Sequence, residues 1–195
     1  MKAMELLHTY APEIRIGICC VILKDNMDEL ADMVRWVQQN EKISCLGFQA
    51  VTQPFSTPVE KNWHLNLRYS ALWPDNQAQA QNMLDQLIHL KKSGHDKLGN
   101  TLTQLQVYKS YFRDPNNFIK KDTCHLDTQA MNIDPAGNIH ICFYMGSIGN
   151  IKQDSAAKAW QSKRAQKVRK SILECRRNCQ AMVNCNFDDT KEYIE

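Results

Sequence analysis

The chain has 195 residues, 43% hydrophobic and 23% charged, with a formal net charge of +3, seven glycines and six prolines. That is enough for one sizeable core, or a medium domain with a small one beside it, and it excludes a disordered or collagen-like polymer. A charge of +3 singles out no partner; no run of about eighteen apolar residues predicts a membrane span, and the opening MKAMELLHTYAPEIR lacks the apolar stretch of a signal peptide, so a cytoplasmic protein is expected.

Residues 2–9 read as a short helix that stops before Pro12. EIRIGICCVIL follows, nearly continuously apolar and rich in β-branched residues, the pattern of a strand covered on both faces. DNMDELADMVRWVQQN predicts a helix opened by a capping box, with Asn26 as N-cap and Glu29 three residues on, burying Leu30, Met33, Val34 and Val37. ISCLGFQAV is a second apolar strand. Strand, helix and strand form a β-α-β unit, with parallel strands and a right-handed crossover. Such a unit cannot cover its own sheet, so it implies neighbours, in this chain or outside it.

Residues 52–75 carry Pro54, Pro58 and Pro74 around the aromatic stretch NWHLNLRYSALWPDN and predict a loop. It is either a substrate-facing segment at the carboxyl end of the second strand, where such sheets bind ligands, or a packed aromatic loop. A helix over 77–93 buries Met83, Leu84, Leu87 and Ile88 and stops at Gly94. Another, over 101–112, buries Leu102, Leu105 and Phe112 and ends before Asp114-Pro115. QAMNIDPAGNIHICF predicts two short strands about the turn Asp134-Pro135-Ala136-Gly137. DSAAKAWQSKRAQKVRKSIL is one helix or two short ones, with Trp160, Val168 and Ile172 on the buried side.

Eight cysteines in a reducing compartment are not expected to form disulfides. Cys19, Cys20 and Cys45 lie in apolar runs and predict buried free thiols that behave as small hydrophobes. The other five lie in the last third of the chain. A hairpin brings Cys124 towards Cys142, and the helix after it returns the chain to Cys175-x3-Cys179-x5-Cys185. Two ligands from the hairpin and two from the post-helical loop make a four-thiolate cage, which suits zinc or an iron–sulfur cluster. Spacing leaves that choice open, so a zinc-stabilised binding module without a redox role stands beside an iron–sulfur protein. Cys175 and Cys179 are one helical turn apart and would share a face, whereas Cys185 must return through QAMVN at a greater ordering cost. The expected ligands are therefore Cys124, Cys142, Cys175 and Cys179, with Cys185 the spare.

NIDPAGNIHIC, then GNI, AWQSKRAQKVR and CRRNC, resembles the SPASM/Twitch extension that follows the barrel of radical S-adenosylmethionine enzymes. VILKDNMDELADMV with LGFQAV is similar to the last β-α-β of that family's partial barrel. The resemblance implies an α/β fold: a barrel remnant of parallel β-α-β and helices over 1–119, then a small α+β SPASM/Twitch domain with a hairpin and helix over 120–190. It implies an auxiliary [4Fe-4S] cluster for electron transfer or substrate ligation, and a peptide or small-molecule substrate. The family's C-x3-C-x2-C loop is absent, since Cys19 and Cys20 are adjacent and Cys45 stands alone. The first barrel strands are missing as well. The chain thus looks like the C-terminal part of a longer enzyme, able to use S-adenosylmethionine only if an N-terminal half is supplied. Five cysteines, with x3 where a full SPASM domain has x2, suit one cluster with one thiol over, as in the Twitch variant.

Residues 152–177 hold nine Lys/Arg and two Asp/Glu. Such cations stabilise an anionic thiolate cluster and could steer an acidic electron donor such as a flavodoxin; the bland alternative is a solvated helix face. No aromatic stacking pattern accompanies them, so nucleic acid is not an expected partner.

Overall fold

The computed structural model describes residues 2–54, 60–116, 124, 126–175 and 179–185. The chain divides into two compact units, Met1–Lys120 with Asn178–Glu195, and Lys121–Arg177. The segment 179–185, grouped with the hairpin by sequence, thus belongs to the first unit.

In that first unit, helix α1 (Lys2–Tyr10) has no buried residue. Strands β1 (Ile16–Ile22) and β2 (Ile43–Ala50) pair in parallel, Ile16 with Ile43 and, after a one-residue shift, Gly17 with Cys45 through Ile22 with Ala50. The connection is helical in two pieces, a 3₁₀ segment Lys24–Glu29 and helix α2 (Leu30–Gln39). Asn26 is not an N-cap of α2. Its Oδ1 accepts from the Leu23 N–H at 2.9 Å while its Nδ2 donates to the Val21 carbonyl at 2.9 Å, so it ties the strand end to the 3₁₀ segment. Helix α2 buries Leu30, Ala31, Val34 and Val37, with Met33 half-buried against them.

The β1 strand is covered on one face, not two. Ile18, Cys20 and Ile22 turn towards the core, and Gly17, Cys19 and Val21 are exposed. Cys19 and Cys45 are therefore exposed thiols and Cys20 is half-buried; none is the fully buried hydrophobe expected. An apolar run implies two covered faces only where a second layer exists, and the parallel pair leaves one face bare among the described residues. A two-stranded sheet is what forms here, with no further barrel strand among those residues.

Helices α3 (Gln77–Lys92) and α4 (Leu102–Arg113) start at side-chain caps: Asn76 accepts from the Gln79 N–H and Thr101 from the Gln104 N–H, both at 3.1 Å. Helix α3 buries Ala80, Met83, Leu84, Leu87 and Leu90, with Ile88 half-buried. It ends at Gly94, whose φ of +88° any Cβ would strain. Helix α4 buries Leu105, Val107, Tyr108, Tyr111 and Phe112, whereas Leu102, in its first turn, is only half-buried. The loop before α3 packs its aromatics: Trp73 meets Trp63, Tyr111 and Phe112 with ring centres 5.3–5.5 Å apart.

The outer edge of β2 is closed residue by residue. The Leu46 N–H and carbonyl pair with Lys97 and Gly99 at 2.8 Å each. Those of Phe48 pair with the Asn100 side-chain amide at 2.7 and 2.9 Å, and those of Ala50 with the Asn184 amide at 2.8 and 2.9 Å.

The second unit holds helix α5 (Leu126–Gln129), an antiparallel sheet of β3 (Asn132–Ile133), β4 (Asn138–His140) and β5 (Gly149–Asn150), and helices α6 (Ala156–Gln161) and α7 (Lys163–Leu173). Its core is Ile139, Ile141, Ile148, Ala159, Ala165 and Ile172. The hairpin is the expected one; the third strand was not foreseen. Trp160 and Val168 are half-buried against this core, while the small Ala159 and Ala165 occupy its centre. Among the described residues no helix is long and apolar enough to cross a membrane.

Candidate metal centre

The hairpin is held by polar groups at fixed places. The Asp134 carboxylate accepts from the Asn138 backbone N–H and from Asn138 Nδ2, both at 2.8 Å. These bonds hold the carboxyl below its ordinary pKa, the side-chain bond most of all. Asn150 Nδ2 reaches across to Asn138 Oδ1 at 3.0 Å and the Ala136 carbonyl at 3.2 Å. Gly137 has φ +88°, and a Cβ there would lie 3.1 Å from Asn150 Oδ1. A Cβ on Gly149 would lie 2.9 Å from Ala159 Cβ, so β5 packs on α6 only without a side chain. The Gly-Asn pair at 149–150 therefore lets two layers meet and locks the turn.

Ser155 and Ser162 cap α6 and α7 by accepting from Lys158 and Ala165 N–H groups. Ser162 is extended, so the stretch expected to be one helix or two short ones is two. Arg169 lays its guanidinium over the Trp160 ring, 4.1 Å from its centre, and donates from Nε to the Asp127 carbonyl at 3.0 Å. Arg169 Nη2 and His140 Nδ1 are buried without a partner.

Against this scaffold stand three half-buried thiols: Cys124 ahead of α5, Cys142 just past β4, and Cys175 just past α7. Cys124 and Cys142 pack on the unit's core. Burial pushes the Cys124 thiol above its ordinary pKa, and the nearby Cys142, Cys175 and Asp127 raise it further, against a lowering bond at Leu126. Cys142 and Cys175 thus both lie within electrostatic reach of Cys124. Among the described residues, however, no three His, Cys, Asp or Glu side chains form a group that could hold a single metal ion.

Cys179 and Cys185 belong to the first unit. Cys179 is extended, with φ −100° and ψ +126°, and opens a 3₁₀ turn over Gln180–Met182. The helical turn expected to put Cys175 and Cys179 on one face does not include Cys179; residues 176–178 between them lie outside the described residues. Cys185 is half-buried beside the first unit's core, and its carbonyl accepts from Gln104 Nε2 at 2.9 Å. An amide 81 positions away in sequence leaves no periodic signal, so that contact was not legible beforehand.

Five of the eight cysteines fall in one stretch. That stretch has a family match. Residues 124–186 match the model of SPASM, an iron–sulfur cluster-binding domain. The SPASM match takes in all five cysteines, the locked hairpin and both capped helices, about a third of the chain. No curated protein and no solved structure matches the chain.

Proposed function

We propose that this chain is the C-terminal portion of a radical S-adenosylmethionine enzyme of the SPASM type, its barrel-derived part over 1–119 and its SPASM/Twitch domain over 120–190. In this reading the domain carries one auxiliary [4Fe-4S] cluster. The observation that carries the reading is the gathering of Cys124, Cys142 and Cys175 inside the SPASM match. A zinc ion needs its sulfurs about 2.3 Å from one point, and hence roughly 4 Å apart. Thiolates suit either metal, and it is the SPASM match that favours a cluster, in which each thiolate meets a different iron.

Four of Cys124, Cys142, Cys175, Cys179 and Cys185 would supply the thiolates, with Cys185 the spare. When bound, the cluster supplies one-electron transfer or an iron for a substrate, which we take to be a peptide or small molecule. The chain's own part is to keep the thiols half-buried and to give up their protons to solvent as the metal takes the thiolates. The exposed cations of α7 (Lys163, Arg164, Lys167 and Lys170) favour an acidic electron donor.

Anaerobic reconstitution with iron and sulfide, followed by metal analysis, tests the reading. The expected product is brown, absorbs near 400 nm, and loses its cluster in Cys124→Ala and Cys142→Ala variants. A colourless protein that takes up one zinc instead would establish the structural-metal alternative. With dithionite and S-adenosylmethionine, the 195-residue chain alone should release no 5′-deoxyadenosine, because it has no C-x3-C-x2-C loop.

A further inference from the structure

Arg169 joins helices α5, α6 and α7 of the second unit. It lies on α7 between Ala165 and Ile172, the residues that helix buries, and is itself half-buried. Its guanidinium covers the Trp160 ring of α6, 4.1 Å from the ring centre, and its Nε donates to the Asp127 carbonyl of α5 at 3.0 Å. Trp160 packs against the unit's core and Asp127 is buried, so both anchors are fixed. Helix α5 needs such an anchor, because four residues are too few to hold a helix by its own hydrogen bonds. Arg169 Nη2 is buried with no partner, and a donor left unpaired costs stability, which a side chain kept only for the fold would avoid.

Thiols stand at both ends of this clamp. Cys124 comes three positions before Asp127 and takes a hydrogen bond from the Leu126 backbone. Cys175 comes six positions after Arg169, and its N–H bonds to the Ile172 carbonyl at 3.0 Å, which ties it to the last turn of α7. Cys142 is placed otherwise: it follows β4, and the bonds of Asp134, Asn138 and Asn150 hold that hairpin.

We infer that Arg169 is a positioning residue for Cys124: by pinning α5 to α7 it keeps the Cys124 thiol within reach of the Cys175 thiol before any iron arrives. The inference rests on the iron–sulfur reading above and deepens it, since it names what holds two of the proposed ligands together. Groups that orient a metal ligand are commonly worth about 10–100-fold in affinity. Lysine cannot stand in for this arginine. It keeps the charge, but its ammonium is a point donor on a flexible stem and cannot lie flat on an indole while donating sideways to a carbonyl.

The test uses the full chain as wild type, Arg169→Lys and Trp160→Phe, each metal-free and after anaerobic loading with iron and sulfide. Mass spectrometry follows iodoacetamide alkylation at Cys124 and Cys142 of the metal-free chain, and a chelator follows iron loss from the loaded one. In Arg169→Lys, Cys124 should be alkylated about tenfold faster, the worth of the stack and one hydrogen bond, while Cys142 keeps its wild-type rate. Iron should leave about tenfold faster, and the paramagnetic signal of the reduced cluster should change shape although the charge at position 169 is the same. Trp160→Phe keeps the guanidinium over a smaller ring and should move the same readouts in the same direction, by about threefold. Alkylation, iron loss and signal shape equal to wild type in both variants would overturn the inference and leave the iron–sulfur reading standing. Equal acceleration at Cys124 and Cys142 in both would overturn it as well, because Arg169 would then stabilise the unit as a whole. Failure of the wild-type chain to take up iron and sulfide would overturn inference and reading together.

Discussion

At the scale of single residues, the thiols set a pH dependence. Cys124 is held as a neutral thiol chiefly by burial, and Cys142, Cys175 and Asp127 add to this because a second negative charge beside them is unfavourable. A metal takes only the thiolate, so binding must displace the proton, and affinity changes by about tenfold per pH unit for each proton displaced. The folded pKa is above the unfolded one. The neutral thiol therefore stabilises the metal-free fold below its ordinary pKa, and that contribution fades as pH rises through the higher folded value. The two effects run in opposite directions. Metal uptake should strengthen from pH 6 to pH 8, whereas the metal-free chain should lose thermal stability on the alkaline side of the thiol range. Titration of uptake and melting across that range checks both, and Cys124→Ala should flatten the alkaline decline.

Among the elements, legibility followed local chemistry. Asn76, Thr101, Ser155 and Ser162 cap their helices in ways short-range rules describe, and the turn at Gly137 was readable because only its φ of +88° needs glycine. Three of the five buried positions of α3, Met83, Leu84 and Leu87, were visible in its 3.6-residue period, whereas Ala80 and Leu90 were missed. What stayed hidden depended on partners far away in sequence. The covered face of β1 depends on which layer is present, and the seal on β2 depends on Asn100 and Asn184, which lie 52 and 134 positions from the residues they pair. Asn100 makes this seal testable. It is buried, satisfies both backbone groups of Phe48, and also holds Gln104. Asn100→Ala leaves the Phe48 N–H without its partner inside the core and should lower stability by about 2–3 kcal/mol. Asn100→Asp, which keeps only the acceptor, should be no better. Chemical denaturation of the two variants against wild type measures this, and a change under about 0.5 kcal/mol would mean that water replaces the amide.

For the whole molecule, the two edges of the parallel sheet differ in kind. The β2 edge is occupied at Leu46, Phe48 and Ala50, but among the described residues no strand lies along the outer edge of β1. Neither is that edge blunted, since IGICCVI contains no charge and no proline. Its surroundings are apolar as well: Ile14 is 51% and Val21 39% exposed, and α1 exposes Leu6, Leu7 and Tyr10. A bare, uncharged edge with apolar neighbours is a template for association, and natural sheets normally protect such edges. The isolated chain should therefore self-associate, as a stable oligomer or by aggregation, until a strand from elsewhere completes the sheet. Val21→Lys puts a charge on the exposed face of β1 without touching the core side, where Cys20 and Ile22 pack. It should shift the protein towards monomer in size-exclusion chromatography with light scattering, with the thermal midpoint at low concentration preserved. A wild-type chain that runs as a sharp monomer and unfolds cooperatively would show instead that the β1 edge is covered within the chain itself.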